Sequence, residues 1–213
     1  MSEGQVAALL LWLVLLAFSL NASLLRTLHA NPLYQHLCLG SAIVLVPLWT
    51  LRAGLHEGLE IHFLGLTSLT LLLGWRLALL APCLTLLILG AFGVTDLAEF
   101  GWQALIGVAL PVATSWLLFL ASWAWLPRHL FVYLFVAAFL GGALSISVKI
   151  LASALLMGMS GAYPWHAIGA DYLSIWPLLL FPEALLNGMA MTLLAVYRPH
   201  WVNTFFDREY LGR

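Results

Sequence analysis

Charge is scarce in this sequence. Only 8% of its 213 residues are Asp, Glu, Lys or Arg, and there is a single lysine, Lys149. A soluble domain carries about 25%, so a water-facing surface cannot be built from this chain. With 63% hydrophobic residues and a mean hydropathy of +1.02, it reads as an integral membrane protein. The net charge of −1 leaves no basic footprint for nucleic acid. Cysteine is nearly absent too. Cys38 and Cys83 both lie in apolar runs, which excludes a disulfide framework and makes them packing residues. The opening MSEGQ has no Lys or Arg, which speaks against a cleaved secretory signal. HExxH, a P-loop and GxSxG are missing. The chain is therefore expected not to be an enzyme, and energy for any pumping has to come from a partner.

What remains is apolar sequence cut into seven runs: 6–25, 37–51, 63–75, 77–94, 103–126, 130–157 and 175–197. The expected fold is all-α, a polytopic membrane helical bundle of about seven transmembrane helices forming one integral membrane domain over 1–213. A helix needs about 20 residues to cross the hydrocarbon core. The third run has 13. It has to run on into the loop before it or form a tight hairpin with the fourth, covered by protein.

Arginine sets the expected sidedness, because cytoplasmic loops retain Lys and Arg. If Arg198, Arg208 and Arg213 are inside, alternation through seven runs puts Arg128, Arg76 and Arg26 inside as well. Only Arg52 falls outside. The amino terminus is then outside and the carboxyl terminus cytoplasmic. The outer loops carry His56, Glu57, Glu60, His62, Asp96, Glu99, His166 and Asp171.

Imidazole suits late first-row divalent metals, and carboxylates neutralise their charge. Glu60 and His62 share a face in an extended segment, and His56 and Glu60 share one in a helix. His62, His56, Glu60, Glu57 and His166 are thus candidate metal ligands. The alternative is that these loops are polar because they meet water. Within the runs, Lys149 and Glu183 lie at matching depth, roughly 12 Å below the outer surface at 1.5 Å per residue. Bare charges there are costly, so an ion pair between them is expected, with Asn187 one turn further along the same face. Met157, Met159, Met189 and Met191 offer thioethers, more often gap-fillers than ligands. "AAFLGGALS" places small residues at four-residue spacing and reads as a helix-packing surface.

The stretch "IHFLGLTSLTLLLGWRLALLAPCLTLLILGAF" (61–92) resembles the centre of the CbiM/NikM family, with His62, Leu64, Gly65, Gly74, Trp75 and Leu77 matching its pattern. "FPEALLNGMAMTLLAVYRPHWV" (181–202) is similar to that family's last helix. These proteins are the substrate-capturing membrane subunits of energy-coupling-factor (ECF) transporters for cobalt and nickel. The resemblance implies capture of a divalent transition metal ion (Co, Ni or other) as substrate, with no organic cofactor, and His62 as a ligand. It also implies an ECF-type coupling transmembrane subunit, two cytosolic ATPase subunits and a bacterial cytoplasmic membrane. The chain departs from the family at Met1-Ser2, where members begin Met-His and fold that terminus back as ligands. It is expected to be a divergent branch in which His56, Glu57 and Glu60 act as local replacements. The competing expectation is a membrane scaffold of the same fold that docks another complex and transports nothing.

Overall fold

The structure is a computed structural model that describes residues 2–53, 61–161 and 163–210. Apolar runs in lipid have no water to satisfy backbone N–H and C=O groups, so each run closes its bonds within itself as a helix. Eight helices and a small hairpin precede the tail: α1 Glu3–Ser19, α2 Ala22–Ala30, α3 Pro32–Thr50, β1 Arg52–Ala53, β2 Ile61–His62, α4 Leu66–Leu73 and α5 Trp75–Ala91, then α6 Leu97–Trp125, α7 Leu130–Ser160 and α8 Trp165–Tyr197. A short α9, Asp207–Tyr210, ends the described chain. Side chains such as Phe18, Val44, Leu117 and Leu178 stay exposed on the outer faces, where a bilayer covers them.

Polar residues punctuate the helices. α1 starts at a capping box in which Ser2 and Gln5 bond reciprocally. It stops at Ser19 rather than running to 25 as expected, because Asn21 Oδ1 accepts the Leu24 amide at 2.8 Å and starts α2. The chain bends by 73° between the two. Asn31 caps α3 by accepting the Leu33 amide, with Pro32 at its first position. By length and composition, four helices (α3, α6, α7 and α8) are able to cross a membrane, or five if α1 and the bent segment after it count as one span. That is fewer, among the described residues, than the expected seven. α5 has 17 residues and α4 only 8.

α4 covers about 12 Å, less than half the hydrocarbon thickness of about 30 Å. It survives because protein surrounds it: Leu66, Thr67, Leu69, Thr70, Leu71 and Leu73 are all buried. Gly65 (φ +65°) and Gly74 (φ +78°) bracket it in backbone conformations that side-chain-bearing residues avoid. The small residues of α7 let α8 and α4 approach closely. A Cβ at Gly142 would lie 2.9 Å from Asn187 Nδ2 and 3.0 Å from Glu183 O, and one at Gly141 would lie 3.0 Å from Thr67 Cγ2. The expected helix-packing surface is therefore used inside the chain.

The two ends of the bundle differ. At one, Phe18 stacks on Trp75, Tyr34 Oη accepts from Asn203, and Arg128 pairs with Glu209 at 2.6 Å. Arg26, Arg76 and Arg198 belong to the segments that turn at this end. At the other, Gln5 donates to Glu99 at 2.6 Å, and the β1–β2 hairpin pairs Arg52 with His62.

Candidate functional site

The hairpin end encloses a cavity of about 500 Å³, lined by Trp49, Arg52, His62, Glu99, Trp102 and Lys149 among others. It is assembled from α3, the hairpin, the end of α5, the start of α6 and the second half of α7. The polar residues of this wall are mostly held in place. Arg52 Nε donates to Trp49 O at 3.2 Å, Glu99 accepts from Gln5, and Trp49 Nε1 donates to Leu64 O at 3.1 Å.

His62 is fixed by its ring. Nδ1 lies 2.9 Å from Phe63 O. A carbonyl only accepts, so Nδ1 carries the proton and Nε2 keeps a lone pair. The ring tilts against Trp49 with centroids 5.3 Å apart. Burial first, and then the positive charge of Lys149, push the imidazole down to about 3, the bond to Phe63 only partly opposing them. A neutral imidazole with one ring nitrogen tethered and the other free is the form that ligates a metal.

Lys149 is buried, with 8% of its surface exposed, and lines the same cavity. The expected ion pair with Glu183 is not formed. No Lys149 contact stands among the ion pairs within 4.0 Å of the described residues. The Glu183 carboxylate is taken instead by backbone. Oε2 accepts the Leu64 amide at 2.8 Å and Oε1 the Gly65 amide at 2.9 Å. Asn187 Nδ2 donates to the same Oε1 at 2.8 Å, while Asn187 Oδ1 accepts the Ser68 amide at 2.8 Å. The physical reason is the short α4. A helix starting at membrane depth leaves its first N–H groups without partners, and a carboxylate there meets both that need and the positive end of the helix dipole. Glu183 and Asn187 therefore form a polar pair, as the strip along one face implied, and Lys149 stands apart from it.

The far end of α4 is closed by the tail. Asn203 N donates to Leu72 O at 2.9 Å, and Thr204 Oγ1 donates to Leu71 O at 2.8 Å while bonding the Tyr133 hydroxyl at 2.7 Å. Nothing local in the sequence marks Asn203 and Thr204 for this role. The Leu71 and Leu72 carbonyls they meet lie more than 130 residues away.

Of the two candidate ligands among the described residues, His62 and His166, it is His62 that lies on the cavity wall. His166 is exposed on the first turn of α8 and is not part of the lining. His56, Glu57 and Glu60 lie outside the described residues. Among the described residues no group of three His, Cys, Asp or Glu side chains converges to hold a metal ion. Asp96 caps the start of α6 through the Ala98 amide. The methionines do not gather either: Met157 lines the cavity, whereas Met191 is buried in the core near the opposite end. Cys38 and Cys83 are free thiols.

A family model described as "CbiM: Cobalt uptake substrate-specific transmembrane region" matches residues 2–201. The chain belongs to that family. CbiM membership makes it a multi-pass membrane component of cobalt uptake, and it bears out the resemblance drawn from 61–92 and 181–202. No curated protein and no solved structure matches the CbiM chain significantly.

Proposed function

We propose that this CbiM chain is the substrate-capture subunit of an ECF-type transporter and takes a divalent transition metal ion, cobalt or nickel, at the hairpin end. The observation that carries the reading is His62. It is a neutral imidazole with its Nδ1 proton tied to Phe63 O and its Nε2 lone pair unspent, set on the wall of a cavity. The sequence between the hairpin strands carries His56, Glu57 and Glu60, and these together with His166 are the proposed further ligands.

Sidedness supports capture from outside. Arg76, Arg128 and Arg198 mark the end opposite the cavity, and positive residues stay cytoplasmic. The proposed setting is a bacterial cytoplasmic membrane, amino terminus outside, with seven passes counting the α4 segment as the third. A coupling transmembrane subunit and two cytosolic ATPases would supply the energy, because a lone binding subunit only equilibrates an ion.

One observation favours the second reading, a membrane scaffold of the same fold. Arg52 and Lys149 share the cavity with His62, and two cations oppose a third. Metal analysis of gently purified protein, together with identification of co-purifying subunits, separates the two. Stoichiometric cobalt or nickel with an ATPase module supports capture. Metal-free protein that also fails to bind added cobalt chloride, bound to a partner without ATPases, rejects it.

A further inference from the structure

Lys149 has no role in the packing described above. It is more than nine-tenths buried and lines the hairpin-end cavity. Among the described residues no hydrogen bond or ion pair reaches it. Two described acids are already engaged: Glu183 by Leu64, Gly65 and Asn187, and Glu99, on the same cavity wall, by Gln5. An uncompensated ammonium in a low-dielectric wall is costly unless an anion meets it. The cavity, at about 500 Å³, falls within the range of roughly 300–1,000 Å³ typical of small-molecule sites and is far larger than a bare metal ion requires. Its walls supply two indoles, Trp49 and Trp102, the neutral polar groups of Gln103, Ser153 and Tyr163, a second cation in Arg52, and one carboxylate, Glu99, which Gln5 engages. That is a surface for an organic molecule with an acidic end.

We propose that this cavity binds a small carboxylate anion whose charge is met by the Lys149 ammonium. Such an anion arrives free or as the carboxylate chelate of a divalent metal. In the chelate form the ligand screens the metal from Arg52 and Lys149 and leaves a coordination position for His62. The chelate form rests on the metal-capture reading, and the free form stands without it.

The test is calorimetric titration of the full-length protein in lipid nanodiscs with three probes: sodium citrate, cobalt chloride, and cobalt citrate at one to one. Citrate is expected to bind, alone or with cobalt. Lys149→Met is expected to weaken that binding at least tenfold, while Lys149→Arg retains it. A tenfold preference for cobalt citrate over citrate identifies the chelate as the source. Equal affinity identifies the free carboxylate. The thermal melt of each variant reports folding, and Lys149→Gln serves as a second charge-free variant. The proposal is overturned if neither citrate form binds, or if the folded Lys149→Met and Lys149→Gln proteins bind citrate as the wild type does. Failure of cobalt to bind in either form defeats metal capture instead and leaves the citrate arm standing.

Discussion

Glu183 and Gly65 meet inside the bundle, 118 residues apart in sequence, with the carboxylate Oε1 accepting the glycine amide at 2.9 Å. The neighbouring oxygen accepts from Leu64, so one side chain of α8 caps the start of a half-length helix that lipid would otherwise forbid.

The first prediction concerns that cap. Glu183→Ala leaves two buried N–H groups unpaired and Asn187 Nδ2 short of one acceptor. Hydrogen bonds to a charged group contribute about 1.5–3 kcal/mol each. At roughly 2–4 °C per kcal/mol for a chain of this size, the melting temperature in detergent should fall by at least about 5 °C. Glu183→Gln keeps one carbonyl acceptor and should lose less. A Glu183→Ala protein that melts with the wild type means the cap stabilises nothing.

The close approach of α7 to α8 gives the second. A Cβ at Gly142 meets Asn187 Nδ2 at 2.9 Å and backbone at 3.0 Å, and backbone cannot swing aside. Gly142→Val is expected to destabilise by about 1–3 kcal/mol, the usual cost of overpacking. Gly107, whose Cβ would meet nothing within 4 Å, is the matched control. In thermal melts Gly142→Val should fall further below the wild type than Gly107→Val.

His62→Ala tests the proposed ligand apart from the fold. Its ring contacts Trp49 and Phe63 O only locally, so the variant should stay folded. Cobalt chloride affinity, measured by calorimetry, should drop at least tenfold. Unchanged affinity removes His62 from the site.

Sidedness is checked by labelling. With Cys38 and Cys83 replaced by alanine, Met159→Cys lies on an exposed position near the cavity end and Glu209→Cys on the arginine end. A membrane-impermeant maleimide added to intact cells should modify the first and reach the second only after permeabilisation. The reverse pattern inverts the proposed orientation.

The arginines, the apolar runs and the shortness of the third run were all legible in the sequence, because hydropathy and segment length act locally. So was the polar strip of Glu183 and Asn187, since residues four apart share a helix face. The partner of Glu183 was not. Depth along α7 and α8 placed Lys149 opposite it, but depth says nothing about backbone amides left open at the same level by a broken helix. Asn21 stopped the first helix early, a cap set among apolar residues that hydropathy alone overlooks. The tail bonds of Asn203 and Thr204 depend on contacts across the whole chain and leave no local trace. The cavity wall was half visible: His62 stood out as a histidine in a polar loop, whereas Trp49, Arg52 and Lys149 join it only in three dimensions.

The half-helix also sets an order of manufacture. Its leading amides wait for a carboxylate encoded 119 residues later, and its trailing carbonyl at Leu71 waits for a hydroxyl 133 residues later. Translation therefore delivers 61–73 long before the groups that complete it. The α4 segment is completed only once the last helix and its tail have left the ribosome, and a chain cut short after residue 160 leaves that segment with both ends open.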